Sequence, residues 1–338
     1  KSRYNDFFNS RFKKILGNVS GIDVSYSDLK DKYLSIRKTI QKLKGKNRKN
    51  ADIFNDLVKV ETLNTAKDVT RWDFYLLATN YLLHDEDSDI LWHNVESDIY
   101  IVVTALLTHE YNTSGVNLRS KKDIDDKNIG KVEKFIRDIT WLEGEEDNTN
   151  KDINGQYDEE RAKELLKELV IFEKVFAKFI ESQMNKQYYH NAICILNYIY
   201  KLGHLQEVVR KISVLSFNYS IDKTQINSDS WSINNIHGIA DYQGSASPIF
   251  GIDNHDIVSL SKKNGVTQDP RVIFTKAYRV IDNDIDQIQE PIDFDNIKVI
   301  SFYGHSLGEA DYSYFETIFD DVNLYNSKVE LEFYYYRK

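Results

Sequence analysis

The chain has one cysteine, three prolines, no long apolar run and no excess of positive charge. With Cys194 alone, no disulfide can close within the chain. Folding then rests on packing and hydrogen bonds, and a reducing, cytoplasmic setting is expected. Cys194 sits in the apolar run AICILNYIY and is read as a packed core thiol. No apolar stretch approaches the length of a membrane span and no signal-peptide pattern is visible, so no membrane partner is expected. Against 44 Lys and Arg stand 53 Asp and Glu, a net charge of −9. That argues against a nucleic-acid surface as the main business of the protein, though a local basic patch stays open. What is present is ample core material. Hydrophobic residues are 41% and aromatics 13% of 338 residues, enough for one large domain or two ordinary ones.

The prolines are Pro248, Pro270 and Pro291, so the first 247 residues have none. That imbalance divides the chain. The first region reads as helical. Tyr4 to Leu16 carries Phe7, Phe8, Ile15 and Leu16 between polar residues. Ser27-Asp28 can cap a helix to Lys44 with Leu29, Tyr33, Ile36, Ile40 and Leu43 on one face. Trp72–Leu83 and Ile90–Leu107 are two further apolar helices. In the second of these, Trp92, Val95 and Ile99 share a face, with Glu96 beside them as either a partly buried acid or a solvated residue. Residues 109–158 are polar, with GEEDNTNKDINGQYDEE read as a flexible loop or insertion. Helices from Glu159 to Lys186 and from His190 to Lys201 follow, with Gly203 as a stop. There is no internal repeat and no heptad run long enough for a coiled coil.

The second region changes period. Lys211–Phe217, Ser232–Ile236, Pro248–Ile252, Val299–Tyr303 and Val329–Tyr336 read as short strands. Val272–Ile281 is apolar enough for either type of element. Strands alternating with helices predict an α/β fold with a mostly parallel sheet. The most informative stretch is KVISFYGHSLGEADYSYFETIF, Lys298 to Phe319. A buried strand breaks at Gly304-His305-Ser306-Leu307-Gly308. Then Tyr312, Phe315, Ile318 and Phe319 recur at helical spacing behind Glu309 and Asp311, acids suited to a helix start.

This turn has three readings. It satisfies the G-x-S-x-G pattern of a nucleophile elbow. It also suits a nucleotide site in which backbone N–H groups and the Ser306 hydroxyl hold a ribose or phosphate. Or it merely joins strand to helix. The elbow is weakened because no histidine follows His305, so Ser306 has no downstream base. Two other residues sit just beyond predicted strands: Asn218, and His237 before Gly238. Singly, each is an ordinary turn residue. Together they form a consistent set. An Asn can orient a water or hold a ribose, and a His beside a Gly can approach a ribose and accept a proton from a hydroxyl.

Six segments carry a resemblance: SRYNDFF at Ser2–Phe8, LWHNVESDI at Leu91–Ile99, VLSFNYS at Val214–Ser220, NIHG at Asn235–Gly238, PIFGID at Pro248–Asp253 and YGHSLGEADYSYF at Tyr303–Phe315. In these the sequence resembles the AbiH family of bacteriophage abortive-infection proteins, which is in turn similar to sirtuin-like NAD-binding proteins. The resemblance implies a Rossmann-like parallel sheet bearing a large helical lobe. Residues 1–19 would begin the nucleotide-binding domain, 20–205 form the lobe, and 206–338 complete the α/β domain. The strand and Gly-Asn-Gly-Phe-Asp loop with which such chains begin would lie ahead of Ser2–Phe8; no strand precedes that segment here. The implied activity is cleavage of the nicotinamide–ribose bond of NAD, as substrate, in phage-infected cells. His237 and Asn218 would be catalytic. Phe217, Tyr219, Gly238, Gly304, His305, Ser306, Leu307 and Asp311 would contact the nucleotide. Tyr219-Ser220 stands where Asn-Tyr-Asp is more typical of sirtuin-like chains, which leaves the third position without an assigned role. A phage protein as trigger, and a homo-oligomer or a complex with a defence partner, are also implied; no metal is. Two other functions stay open: a nucleotide- or phage-sensing module without turnover, and a serine hydrolase at Ser306. His305 is expected to hold the turn by a hydrogen bond.

Overall fold

In the computed structural model the described residues are 6, 7, 10, 70–73, 75, 76, 79, 95–107, 127–142, 156–203, 212–221, 224, 226, 231–240, 247–257, 261, 262, 265, 266, 269–286, 289–305, 307 and 311–334. In chain order the elements are helices α1 (Val95–Leu107), α2 (Lys127–Leu142), α3 (Gln156–Gln183) and α4 (Lys186–Gly203), strands β1 (Ile212–Ser216) and β2 (Trp231–Asn235), the two-residue strands β3 (Ser261–Lys262) and β4 (Gly265–Val266), helix α5 (Lys276–Asp282), strand β5 (Val299–Tyr303), helix α6 (Tyr312–Asp321) and strand β6 (Glu330–Tyr334). The chain is mixed α/β. It divides into two compact units, one of Lys1–Val175 with Ile257–Phe274, the other of Phe176–Asp256 with Thr275–Lys338. No helix among the described residues is long and apolar enough to cross a membrane.

The first unit is built on α1. Its sequence VESDIYIVVTALL is apolar on nearly every face, which marks a helix surrounded by protein. Ile99, Val102 and Val103 are completely buried. Burying each such side chain contributes about 1.5–3 kcal/mol. Glu96 is half-buried, and the acid that is fully buried in this helix is Asp98. Helix α2 packs against α1 and buries Ile129 and Val132. The polar reading of 109–158 missed this helix because its charged residues dilute an i, i+3 apolar spacing. Around Trp72, the indole N–H donates to the Leu165 carbonyl at 2.8 Å, and the ring lies against Tyr75 and Phe274. Beside it, Arg71 Nε donates to Glu168 at 2.8 Å. Strands β3 and β4 pair antiparallel. The helices expected over 27–44 lie outside the described residues, as does most of Tyr4–Leu16.

The second unit carries the parallel strands. β1 pairs with β2 and β5 with β6, each over five residues in register. β5, α6 and β6 make a βαβ unit, the connection that parallel pairing requires. Phe302 on β5 stacks on its register partner Phe333 at 4.9 Å between centroids, a pair that adds roughly 0.5–1.5 kcal/mol beyond burial. Behind β1 and β2, Phe176 packs on Tyr219 and Phe250, and Ile249 and Ile285 form a small core with Ile239 and Val280.

Three expectations need correction here, and one open reading is resolved. Among the described residues the strands through Val214 and Val299 belong to separate two-stranded sheets, not to one. Both behave as edges: Ser213 and Ser301 are exposed, and the apolar residues of each strand are only half-covered, except exposed Tyr303. Pro248–Ile252 is not a strand. Its backbone partners are elsewhere, Ile249 N–H on the His237 carbonyl and Ile249 carbonyl on the Tyr219 hydroxyl, with one bridge from Ile252 to Thr275. The ambiguous stretch Val272–Ile281 resolves into a 3-10 turn at Pro270–Phe274 followed by α5. Finally, Cys194 is exposed rather than packed. Helix α4 has no fully buried side chain from Lys186 to Tyr200, so an apolar run here does not mean a core. Cys194 Sγ lies 3.6 Å from His190 Nε2, one turn back on the same helix.

Candidate functional site

Three turns converge in the second unit. Phe217 follows β1, His237 follows β2 and His305 follows β5. The Phe217 ring lies 5.6 Å from His237 and 4.4 Å from His305, and is stacked on Phe315 of α6 at 5.2 Å. Tyr314 lies 5.2 Å from His237 and 6.1 Å from Phe217, so the three rings pack edge to face on one another. Each turn is set by local chemistry. After β1, Ser216 Oγ accepts from the Asn218 N–H and donates to its carbonyl. After β2, Gly238 bonds back to the Asn235 carbonyl at φ +83°, a left-handed conformation that glycine adopts without strain. After β5, Gly304 has φ +66°, with nothing within 4 Å of where a Cβ would stand.

At the centre is Asp311, which precedes α6 and makes no side-chain cap to it. Its carboxylate is committed elsewhere. Lys276, the first residue of α5, donates to Oδ1 at 2.5 Å, and His305 Nε2 lies 3.1 Å from Oδ2. The His305 tautomer follows from its other nitrogen. Nδ1 accepts from the Leu307 N–H at 3.0 Å, so the proton is on Nε2 and is given to Asp311. That bond closes the turn after β5. Leu307 itself takes φ +52°, an unusual conformation for a branched side chain. Lys276 is held in place by its own backbone, whose N–H bonds the Ile252 carbonyl at 2.9 Å, and Thr275 caps α5 through the Tyr278 N–H.

His237 is left over. Its Nε2 lies 3.5 Å from Asp311 Oδ1 without hydrogen-bond geometry, and has no hydrogen-bond partner among the described residues. The residue is 3% exposed. Burial, helped by the positive charge of Lys276, pushes its pKa down to about 3, against a weaker opposing pull from Asp311. The ring is therefore neutral at physiological pH. The Asp311 carboxyl is held well below the usual carboxylate range. Burial works against this, but the His305 hydrogen bond and the charge of Lys276 outweigh it.

A second cluster anchors α6. Asp253 accepts from the Ser313 hydroxyl at 2.7 Å and the Ser313 N–H at 3.2 Å, and also from the His255 N–H at 2.9 Å. It thereby satisfies the helix start that Asp311 has left uncapped. Its carboxyl is held below the ordinary value. Burial opposes this, but the His255 and Ser313 bonds outweigh it. His255 reaches on to Glu316 at 3.2 Å.

Of the residues singled out in the sequence, Phe217, His237, His305 and Asp311 come together. Gly238 and Gly304 shape the adjoining turns, and Leu307 closes the third. Asn218 is exposed next to Phe217, and its side chain makes no hydrogen bond to a described residue. Tyr219 faces the core instead, between Phe176 and Phe250 with its hydroxyl on the Ile249 carbonyl at 3.1 Å. Ser306 lies outside the described residues. Sequence reasoning missed Lys276 and Asp253. A lysine opening a seven-residue helix has no local signature, whereas Asp253 was visible only as the last residue of PIFGID. No group of three or more His, Cys, Asp or Glu among the described residues is arranged to hold a metal ion. No protein-family model, curated protein or solved structure matches the chain.

Proposed function

We propose that this protein is an anti-phage abortive-infection effector of the AbiH type that binds NAD and hydrolyses its nicotinamide–ribose bond. The observation that carries this reading is the buried, neutral His237 with a free Nε2 where the turns after β1, β2 and β5 converge. In a neutral imidazole one nitrogen donates and the other accepts; with its proton on Nδ1, Nε2 of His237 would accept a hydrogen bond from a ribose hydroxyl or a water, which an imidazolium would not. In the proposed reaction the C–N bond to ribose breaks, nicotinamide leaves with the bonding pair, and water supplies the hydroxyl that replaces it while its other proton passes to solvent. A base as weak as His237 orients the hydroxyl more than it removes its proton. Asn218, exposed beside Phe217, would hold the water or the ribose. The aromatic rings of Phe217 and Tyr314 offer apolar surface to an exclusion of bulk water. A Rossmann-like arrangement is supported by the parallel pairing and by the strand ends that share one site, although no ladder joins the two pairs.

The test is NAD consumption by purified wild-type and His237→Ala protein, with and without phage lysate as trigger. Wild-type turnover and none by the variant is expected. Equal rates would remove His237 from the mechanism. The depth of His237 favours a second reading in which the site senses a nucleotide without turnover, because the residue is buried beside Phe217 and Tyr314. Calorimetry with NAD and ADP-ribose separates the two, since the sensor binds without releasing nicotinamide.

A further inference from the structure

Lys276 is the one charged residue of the site that neither the strand-end turns nor the proposed reaction accounts for. It is 2% exposed, and a lysine so deeply buried is costly unless its charge is matched. Its match is Asp311 Oδ1, while Oδ2 receives the proton of His305. Each carboxylate oxygen thus has a charged or ring N–H donor. His237 stands 3.5 Å from the oxygen that holds Lys276, with no hydrogen-bond partner for Nε2 among the described residues.

We propose that Lys276 is a positioning residue: by occupying Asp311 it denies His237 an acidic partner and keeps Nε2 free to accept a hydrogen bond from a ligand. Without Lys276, Asp311 Oδ1 would face His237 alone. The pair would then form a His–Asp hydrogen bond, the imidazole would take up a proton, and the acceptor would become a donor. The charged groups facing the ring are Lys276 from α5, Asp311 from the start of α6 and His305 from the turn after β5. Two of the three, Lys276 and His305, oppose protonation of His237. Removing Lys276 takes away the larger of the charge effects that oppose protonation, so the His237 pKa should rise, although burial still holds it down. The inference rests on His237 being the ligand-facing group of the site, yet its test needs no ligand.

The experiment is a pH titration of the His237 ring by nitrogen-15 NMR in the unliganded protein, for wild type, Lys276→Met and Lys276→Arg. In wild type the ring should stay neutral from pH 8 down to pH 5, with the resonance of an unprotonated Nε2. In Lys276→Met it should take up a proton at a higher pH than in wild type. Lys276→Arg keeps the charge and should restore the wild-type profile. A merely structural lysine would change the melting temperature of both variants without moving the His237 titration. If Lys276→Met folds and its His237 titrates no higher than in wild type, the proposal is overturned. If neither variant folds, the wild-type spectrum decides: a protonated Nε2 donating to Asp311 overturns it, and an unprotonated one upholds it. Absence of NAD turnover leaves these results untouched, so failure of the NAD reading and failure of this inference are separable.

Discussion

Each unit of the molecule buries charge, and the two do it differently. In the first, Arg271 is completely buried and its guanidinium grips Asp269, with Nη2 2.8 Å from Oδ2 and Nε 3.1 Å from Oδ1. Nη1 donates to Thr104 of α1 at 3.1 Å, and the Arg271 N–H returns to Asp269. The fork geometry gives the carboxylate two parallel bonds, and the cluster ties Pro270–Phe274 to α1. In the second unit one carboxylate, Asp311, is shared among Lys276, His305 and the unbonded His237. The first arrangement holds a fold. The second leaves a buried polar nitrogen unpaired, which costs stability and persists where a ligand completes the set.

Substitutions sharpen this contrast, and the largest effect belongs to the satisfied pair. Asp269→Ala strands the Arg271 charge in the interior and should cost about 3–5 kcal/mol in urea unfolding, enough to leave little folded protein at 37 °C. Asp253→Ala should cost about 1–2 kcal/mol by uncapping α6, read as a lower denaturation midpoint. Gly304→Ala places a side chain at φ +66° and should cost about 1 kcal/mol through backbone strain alone, because the space around it is open. At the other end, His237→Leu should change stability by less than about 1 kcal/mol, or raise it, since it removes an unpaired polar atom of similar bulk. If His237→Leu is as damaging as Asp269→Ala, the two regions are not different in kind.

Acid sharpens the comparison further. His237 has a folded-state pKa depressed from 6.5 to about 3, so the unfolded chain binds more protons than the native one between those values. Unfolding free energy should therefore fall as pH drops below about 6.5, and keep falling until pH reaches the folded value. Asp311 and Asp253, both depressed, add to the loss once pH falls below the ordinary carboxylate range. In His237→Leu the decline between pH 6 and pH 4 should be shallower than in wild type, by chemical denaturation at fixed ionic strength.

The elements of the second unit were legible where local pattern decides them. β1, β2, β5, β6 and α6 fall within a residue or two of where alternation, apolar runs and helical spacing put them. So does the location of His237 at a strand end, because Gly238 announces the turn. What the sequence hid was long-range. The partition of strands into two pairs depends on which edges meet, and nothing in Val214 or Val299 encodes that. Lys276 and Asp311 are thirty-five positions apart, and a lysine next to an alanine and a tyrosine gives no sign that it will be buried. Cys194 misled in the opposite direction. A run of apolar residues was taken for a core, while α4 leaves every one of its described side chains at least partly open to solvent.

The account turns on the free nitrogen of His237 as the group that receives a nucleotide. Calorimetric titration of NAD and ADP-ribose into wild-type and His237→Leu protein, both shown folded by circular dichroism, tests it most directly. Wild type should bind, and the variant should bind at least about tenfold more weakly, the value of one hydrogen bond lost to a buried site. Equal affinity in the two proteins, or no binding of either nucleotide by wild type, would contradict it.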